Sequence, residues 1–207
     1  MKIRKSHFVC SALIIASLVG TARAQFMWPG LGNPAARAKF TCWSRDGTVH
    51  YKHKVVVNEA GQPGLIWVGM HNPGKTAAYL LDQHGQWQKY DGGLLPPAGR
   101  FDGGLPATMD VDVQLPEPGP STNWFVGWEI YEGYGVYTKA SQDKVATRRA
   151  ILNEVKPSRV AEGKWSPEYD SDDRFKWALV QKDMTDNGKY VQVVTIPLID
   201  CNATTSN

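Results

Sequence analysis

The sequence has few of the residues on which catalytic and metal sites are usually built. Its 207 residues include only three cysteines and five histidines. It contains no G-x-S-x-G nucleophile elbow and no H-E-x-x-H zinc motif. These absences exclude the two corresponding hydrolase patterns. We assign no catalytic residue, no metal ligand and no cofactor, and the sequence favours a protein that is not an enzyme.

The sequence also lacks an apolar run long enough to cross a membrane. Its most apolar segment, residues 11–20 (SALIIASLVG), follows the basic residues Lys2, Arg4 and Lys5 and precedes residues 22–24 (ARA). This order is typical of a secretory signal peptide that is cleaved after Ala24. We therefore predict that residues 1–24 are removed and that the protein is periplasmic or secreted, without a membrane span.

The chain carries little net charge. It has 23 Lys and Arg and 20 Asp and Glu, which gives a formal charge of +3. Four of the bases and none of the acids lie in the predicted signal peptide, so the remainder has 19 bases, 20 acids and a charge of −1. Proteins that bind nucleic acid usually present a basic field. Nucleic acid is therefore not an expected partner.

Only two cysteines remain once the predicted signal peptide, with Cys10, is removed. Cys42 and Cys201 lie near the two ends of the mature chain. Two cysteines in an exported protein normally pair, so we predict a Cys42–Cys201 disulfide. A chain-entropy estimate for the loop of about 160 residues gives a stabilisation on the order of 5 kcal/mol.

Alternating apolar and polar residues predict a β-rich domain. The predicted strands are residues 48–58, 65–70, 77–81, 87–90, 109–115 and 190–199. The turn residues 82–85 join two of these strands in a hairpin. We expect residues 25–39 to form an extended arm, residues 40–202 a single domain and residues 203–207 a tail. The predicted fold class is α+β, mainly an antiparallel β-sandwich-like structure with one or two helices in the C-terminal half.

Two segments in the C-terminal half have helical signals. Residues 141–156 begin with a serine cap and precede Pro157, and their apolar stripe is formed by Val145, Ile151, Leu152 and Val155. Residues 172–186 are predicted to form a second helix that ends at Asn187-Gly188. Phe175, Trp177 and Leu179 also alternate, so a hairpin that turns at residues 186–188 is the alternative.

Residues 69–76 (GMHNPGKT) match the phosphate-binding pattern G-x-x-x-x-G-K-[ST]. An apolar strand precedes them, but the segment after Thr76 soon reaches turn residues, and the chain lacks the βαβ alternation of a nucleotide-binding sheet. We therefore favour a hairpin loop in which Asn72, Pro73 and Gly74 make the turn. Nucleotide binding, with Lys75 as the residue to test, is the third functional alternative.

The histidines do not form a metal-binding pattern. His50 and His53 are three residues apart on a predicted strand, so their side chains point to opposite faces. His71 and His84 lie at the two ends of a predicted hairpin, but no third ligand accompanies them. The acids Asp170, Asp172 and Asp173 could offer oxygens to calcium, although acids ahead of a helix more often cap it. No metal site is predicted.

The aromatic and glycine-rich run from Asn123 to Thr138 suggests two alternatives. Trp124, Val126, Trp128 and Ile130 are predicted to share a core face with Tyr134 and Val136. The opposite face carries Phe125, Glu129, Tyr131 and Tyr137, interrupted by glycines. We favour packing of this face under the helix that follows Ser141. A carbohydrate-binding surface is the alternative, in which the tyrosines would be exposed.

Two segments are candidate contact elements because apolar residues occur there among Gly and Pro. The loop at residues 91–106 contains Leu94, Leu95, Arg100 and Phe101, and the predicted arm contains Phe26, Met27 and Trp28. Disorder is the alternative for the arm.

The segments GLIWVGMHNPGKTAAYLLDQHGQW, YDGGLLP and EGYGVYT resemble a Gly- and aromatic-rich β module of large exported bacterial proteins, whose activity is unassigned. The resemblance extends from Gly64 to Thr138. It implies a β-sandwich-like module and supports the hairpin interpretation of residues 69–76, and it transfers no functional residue.

These observations favour an exported envelope or cell-surface protein that acts as a non-catalytic binding or assembly module. Its expected partner is another envelope or surface protein, or a glycan. Carbohydrate binding or glycoside chemistry on the Gly-aromatic face is the alternative.

Overall fold

The computed structural model describes residues 38–42, 48–116 and 124–199. These residues contain nine strands and two helices. The strands are β1 (Lys39–Cys42), β2 (Val49–Val56), β3 (Gly64–His71), β4 (Ala78–Leu81), β5 (Trp87–Lys89), β6 (Gly99–Phe101), β7 (Thr108–Gln114), β8 (Glu129–Val136) and β9 (Tyr190–Thr195). The helices are α1 (Lys139–Ala161) and α2 (Asp172–Asp186). The predicted fold class, mainly antiparallel β with two helices in the C-terminal half, is confirmed.

The strands form two antiparallel sheets. The smaller sheet has the order β1-β2-β7, and the larger has the order β5-β4-β3-β8-β9, with β6 also paired to β3. The alternation predicted for residues 48–58 and 109–115 is confirmed. Strand β2 buries every second side chain, and in β7 Val111 is buried and Met109 and Val113 are half-buried between exposed residues. The predicted hairpin is also present, as β4 and β5.

One hydrophobic core lies between the two sheets. Tyr51 and Val55 from β2 pack in it with Ile66 and Val68 from β3 and with Ile130 from β8. Strand β3 is apolar on both faces because its other face, with Leu65 and Trp67, packs in a second cluster against helix α2. The large sheet is therefore covered by the small sheet on one side and partly by α2 on the other.

Helix α2 is confirmed at residues 172–186, so the hairpin alternative is wrong. The hydroxyl of Ser171 accepts a hydrogen bond from the backbone N–H of Arg174 and caps the N-terminus. Gly188, with φ of +61°, follows the C-terminus as a left-handed residue.

Helix α1 is longer than predicted. It is capped by Thr138, not Ser141, and continues through Pro157 to Ala161. Proline removes one backbone donor, but Arg159 secures the last turns: its guanidinium donates to the Asp170 carboxylate at 3.0 Å and to the carbonyl of Lys164 at 3.1 Å. The prediction that the helix ends before Pro157 was therefore wrong.

The predicted apolar stripe of α1 is only partly buried. Val145 is buried, whereas Ile151 and Val155 are exposed. The helix packs mainly against α2, so the contacted face of α1 is narrow. Polar contacts supply the rest of this interface, including the hydrogen bond of 3.2 Å from Arg148 Nη1 to the carbonyl of Ser171.

A buried lysine ties the C-terminal end of α2 to the sheets. The ammonium of Lys189 donates to the Asp183 carboxylate at 2.8 Å and also pairs with Glu59. Asp183 in turn accepts the backbone N–H of Val136 at 2.8 Å. Burial alone would lower the pKa of Lys189, but its two carboxylate partners outweigh burial and raise that pKa.

Candidate functional site

Helix α2 covers one part of the Gly-aromatic face of β8 and leaves the other part uncovered. A Cβ on Gly133 would lie 2.7 Å from Sδ of Met184, and one on Gly135 would lie 2.1 Å from the carbonyl oxygen of Val180. The glycines therefore let α2 lie directly on the sheet. Tyr137 is half-buried and packs in the cluster under α2. Packing under a helix is confirmed for this part of the face, but the covering helix is α2 and not the one that follows Ser141.

The prediction of which side chains between Asn123 and Thr138 face the core is wrong for the residues before β8. Residues 124–127 form a turn, and Gly127 has φ of +82°. Trp124 and Val126, expected in the core, are exposed, whereas Phe125 is buried against Trp128 with ring centroids 4.9 Å apart. Phe125 therefore does not belong to the candidate ligand face. The turn breaks the alternation that an unbroken strand would have kept.

The loop at residues 91–106 packs onto the large sheet and α2. The indole N–H of Trp67 donates to the carbonyl of Leu95 at 3.0 Å, and the backbone N–H of Leu95 donates to the side chain of Gln181 at 2.8 Å. Phe101 belongs to β6 and packs against the core, and Leu94 is half-buried. Of the four contact residues predicted in this loop, Leu94, Leu95 and Phe101 are thus at least partly buried within the domain.

Arg100, the fourth, holds this loop to α2 through a charged latch. Its Nη1 and Nη2 donate to the two oxygens of Asp173 at 2.9 and 2.5 Å, and its Nε donates to Asp102 at 3.1 Å. Asp102 also accepts from Lys176 at 2.7 Å. We call Arg100, Asp102, Asp173 and Lys176 the latch.

The latch changes the proton affinity of its own members. Hydrogen bonding to Asp173 raises the pKa of Arg100, and the same bond lowers the pKa of Asp173. The hydrogen bond from Lys176, followed by that from Arg100, lowers the pKa of Asp102. Arg100, Asp102 and Asp173 therefore stay charged near neutral pH.

Two small cavities lie beside the latch. One of about 80 Å³ has an apolar floor that includes Leu65, Trp177 and Val180. The other, of about 360 Å³, is lined by Tyr137, which follows β8, and by residues of both helices. Asp173 and Lys176 line both cavities. Asp173 and Lys176 thus connect the surroundings of Arg100 with those of Tyr137, which were predicted separately.

A second cluster occupies the part of the face that α2 leaves uncovered. The Tyr131 hydroxyl donates to Oε2 of Glu129 at 3.0 Å, and the Tyr131 ring stacks on His71 with centroids 5.0 Å apart. Burial and the bond to Glu129 raise the pKa of Tyr131 to about 12, so the phenol remains a donor at neutral pH. Glu129 and Tyr131 were predicted, and His71 was named only as an incomplete metal ligand.

The three acids considered as calcium ligands form ion pairs with arginines instead. Asp170 pairs with Arg159 at 3.0 Å, Asp172 with Arg149 at 2.5 Å, and Asp173 with Arg100. Within the described ranges, no group of three His, Cys, Asp or Glu side chains is placed to hold a metal ion.

The G-K-T segment forms the loop of the β3–β4 hairpin. Oδ1 of Asn72 accepts the backbone N–H groups of Thr76 and Ala77 at 2.8 and 3.1 Å, and Lys75 is left-handed with φ of 54°. A strand and not a helix follows Thr76. The backbone N–H groups of Lys75 and Thr76, which a phosphate-binding loop would offer to its ligand, are bonded within the loop. The preferred hairpin interpretation is therefore confirmed.

Sequence reasoning missed a buried pair between the sheets. Nε2 of His53 and Oε2 of Glu132 lie 2.5 Å apart, and the side chains are 0% and 6% exposed. His53 was predicted only to face away from His50, which the structure confirms. Because 79 residues separate the partners, no local pattern could reveal the pair.

Several predictions fall outside the described residues. These are the signal peptide, the contact residues Phe26, Met27 and Trp28, and Cys201. Cys42 ends β1 and packs against the core, and its disulfide with Cys201 stays a prediction. Neither helix in the described part of the chain has the length and apolar character needed to cross a membrane.

Comparisons with protein-family models, with curated proteins and with solved structures found no match to this chain.

Proposed function

We propose that the chain is an exported bacterial envelope or cell-surface protein that acts as a non-catalytic binding or assembly module. Its partner is another envelope protein. The observation that carries this proposal is an exposed apolar surface formed by Trp124, Val126 and Leu198, whose side chains are 60%, 40% and 69% exposed. We call these three residues the apolar patch.

Backbone hydrogen bonds join the turn that carries Trp124 and Val126 to the segment that carries Leu198. The N–H of Gly127 donates to the carbonyl of Ile196 at 2.9 Å, and the N–H of Ile196 donates to the carbonyl of Trp128 at 2.8 Å. The turn at residues 124–127 therefore runs beside the segment that follows β9. Contiguous exposed apolar surface on a soluble domain commonly marks a protein contact, and tryptophan is enriched at such contacts.

The candidate surfaces predicted from the sequence are largely used in contacts within the domain, and this supports a binding role over an enzymatic one. Helix α2 fills much of the Gly-aromatic face, and the charges of the latch neutralise one another. A general acid or base needs a free proton-transfer position beside its substrate. The latch carboxylates already accept hydrogen bonds from Arg100 and Lys176.

Crosslinking in the native envelope tests the proposal. The chain is tagged at its C-terminus, mildly crosslinked in cells and purified, and the stoichiometric partners are identified. We expect one protein partner, which the variant Trp124→Ser loses. The control Ile151→Ser removes an equally exposed apolar side chain from α1 and should keep the partner.

Three results contradict the proposal in different ways. Equal loss in both variants would mean that no specific contact lies at the apolar patch. Retention in both would place the contact elsewhere. Absence of any protein partner, together with retention on cell-wall material, would overturn the assembly role.

One observation favours carbohydrate binding as a second candidate. Glu129 and Tyr131 lie outside the area covered by α2 and remain half-exposed, which leaves an aromatic ring and a carboxylate for sugar binding. We expect Tyr131→Ala to abolish any retention on soluble cell-wall glycan. The control Tyr169→Ala, an exposed tyrosine elsewhere, should not change retention.

A further inference from the structure

His71 and Glu129 stand directly opposite each other on the antiparallel strands β3 and β8. Opposite residues of such a pair project from the same face of the sheet. Nε2 of His71 lies 3.6 Å from Oε2 of Glu129. The side chains are 21% and 30% exposed, so solvent reaches both groups.

The other ring nitrogen of His71 is already committed. Nδ1 lies 2.9 Å from the backbone carbonyl oxygen of Asn72. A carbonyl oxygen only accepts hydrogen bonds, so Nδ1 is the nitrogen that carries hydrogen. In the neutral imidazole the lone pair is therefore on Nε2. This nitrogen, which carries the lone pair, is the one that lies 3.6 Å from the Glu129 carboxylate oxygen.

The width of that gap suits two ligands of one metal ion. At 3.6 Å, Nε2 and Oε2 are too far apart for a good direct hydrogen bond. Zinc binds histidine nitrogen and carboxylate oxygen at about 2.0–2.2 Å, so this separation corresponds to an angle of about 120° at the metal. Such an angle is close to the tetrahedral value.

Both groups also have the neighbours that metal ligands usually have. A ligating histidine commonly donates its second N–H to a backbone carbonyl, and a ligating carboxylate commonly accepts a further hydrogen bond. His71 makes the first contact with Asn72. Glu129 receives the second from the Tyr131 hydroxyl at 3.0 Å. These contacts hold the imidazole and the carboxylate in place.

We propose that His71 and Glu129 bind a divalent transition-metal ion of the zinc class. Imidazole nitrogen and carboxylate oxygen are ligands that such ions accept. The described residues provide no third His, Cys, Asp or Glu at this position, so water or a group from a bound partner completes the coordination. The site is open, and its affinity is lower than that of a four-ligand structural zinc site.

Zinc titration tests the site. The chain is produced without a polyhistidine tag, stripped with a chelator and titrated with Zn²⁺ by isothermal titration calorimetry at pH 7.5. We expect about one ion per chain, and at least tenfold weaker binding for His71→Gln and for Glu129→Gln, since each variant removes one ligand. Binding should also weaken on acidification, because a proton competes for Nε2.

His50 supplies a matched control. Its side chain is 23% exposed, and its Nδ1 lies 3.8 Å from Oδ1 of Asp112, but Lys52 pairs with that carboxylate at 2.8 Å. The variant His50→Gln should therefore bind zinc as the wild type does. Circular dichroism and thermal unfolding confirm that each variant is folded.

The proposal is overturned if wild type and His71→Gln bind zinc equally, or if His50→Gln loses as much binding as His71→Gln. It is also overturned if the wild type binds no zinc. In that case, nitrogen-15 NMR that finds both ring nitrogens of His71 protonated would identify an ion pair between His71 and Glu129. The metal site does not depend on the proposed assembly role.

Discussion

His53 and Glu132 lie in the core between the two sheets, where a charge without a partner is costly. Their contact at 2.5 Å links β2 of the small sheet to β8 of the large one. Apolar side chains such as Tyr51 and Ile130 surround this region of the core. The pair therefore joins the two sheets through buried polar side chains.

Replacing one member of this pair should cost more than replacing both. We expect His53→Leu to lower the free energy of unfolding by about 3–5 kcal/mol, because Glu132 stays buried without this partner. The double variant His53→Leu/Glu132→Leu should recover much of that loss. Urea unfolding of the single and double variants measures the coupling. Additive losses would mean that the two side chains act independently.

Helix α2 lies on the large sheet because Gly135 has no side chain. A methyl group there would meet the carbonyl oxygen of Val180 at 2.1 Å, so the helix or the strand must move. We expect Gly135→Ala to lower the free energy of unfolding by about 1–3 kcal/mol. Gly103 has no atoms within 4 Å of an added Cβ, and Gly103→Ala should be nearly neutral. Equal effects in urea unfolding would contradict the close-packing explanation.

The latch between the loop and α2 should weaken in acid. The pKa values of Asp102 and Asp173 are lowered in the folded protein, so the latch stabilises above their unfolded values near 3.8. This contribution is lost as the pH falls further through the folded pKa values. The partners are partly exposed, with side-chain exposures from 27% to 59%, and we expect Asp173→Asn to cost less than about 1 kcal/mol at pH 7.

Unfolding of wild type and Asp173→Asn from pH 7 to pH 2 checks this dependence. The difference in the free energy of unfolding should shrink below about pH 4, and high salt should reduce it at pH 7. A difference that persists unchanged at pH 2 would assign the effect to packing and not to charge.

The elements that sequence patterns predicted are those whose burial follows a regular period. The alternating residues of β2 face the core and solvent in turn, so period two is sufficient. The pattern failed at Gly127, where a turn with positive φ reversed the sides of Phe125 and Val126. The candidate sites depend on tertiary contacts, such as Arg100 with Asp173, that no local period encodes. Single residues of these sites, such as Arg100, were predicted from the sequence, but the residues that they contact were not.

The predicted signal-peptide cleavage and the predicted disulfide concern the whole molecule. Cleavage after Ala24 predicts a protein that begins at Gln25. A Cys42–Cys201 disulfide predicts that its mass is two hydrogens below the mass calculated for the reduced chain. Intact mass spectrometry of the protein from its native compartment, before and after reduction, checks both features. We expect reduction to lower the free energy of unfolding by a few kcal/mol, up to about 5. An unprocessed mass, or free thiols, would contradict export or pairing respectively.

Because β8 follows β3 late in the sequence, β3 cannot complete its strand pairing until β8 has been synthesised. β3 emerges early, yet the neighbour that pairs with it along its full length, Gly64–His71 against Glu129–Val136, emerges much later. Until then one edge of the most apolar strand has no stable partner, and exposed edges of this kind favour association with other chains. The nascent N-terminal half is thus vulnerable to aggregation, and a chaperone that shields β3 would act in the interval before β8 emerges.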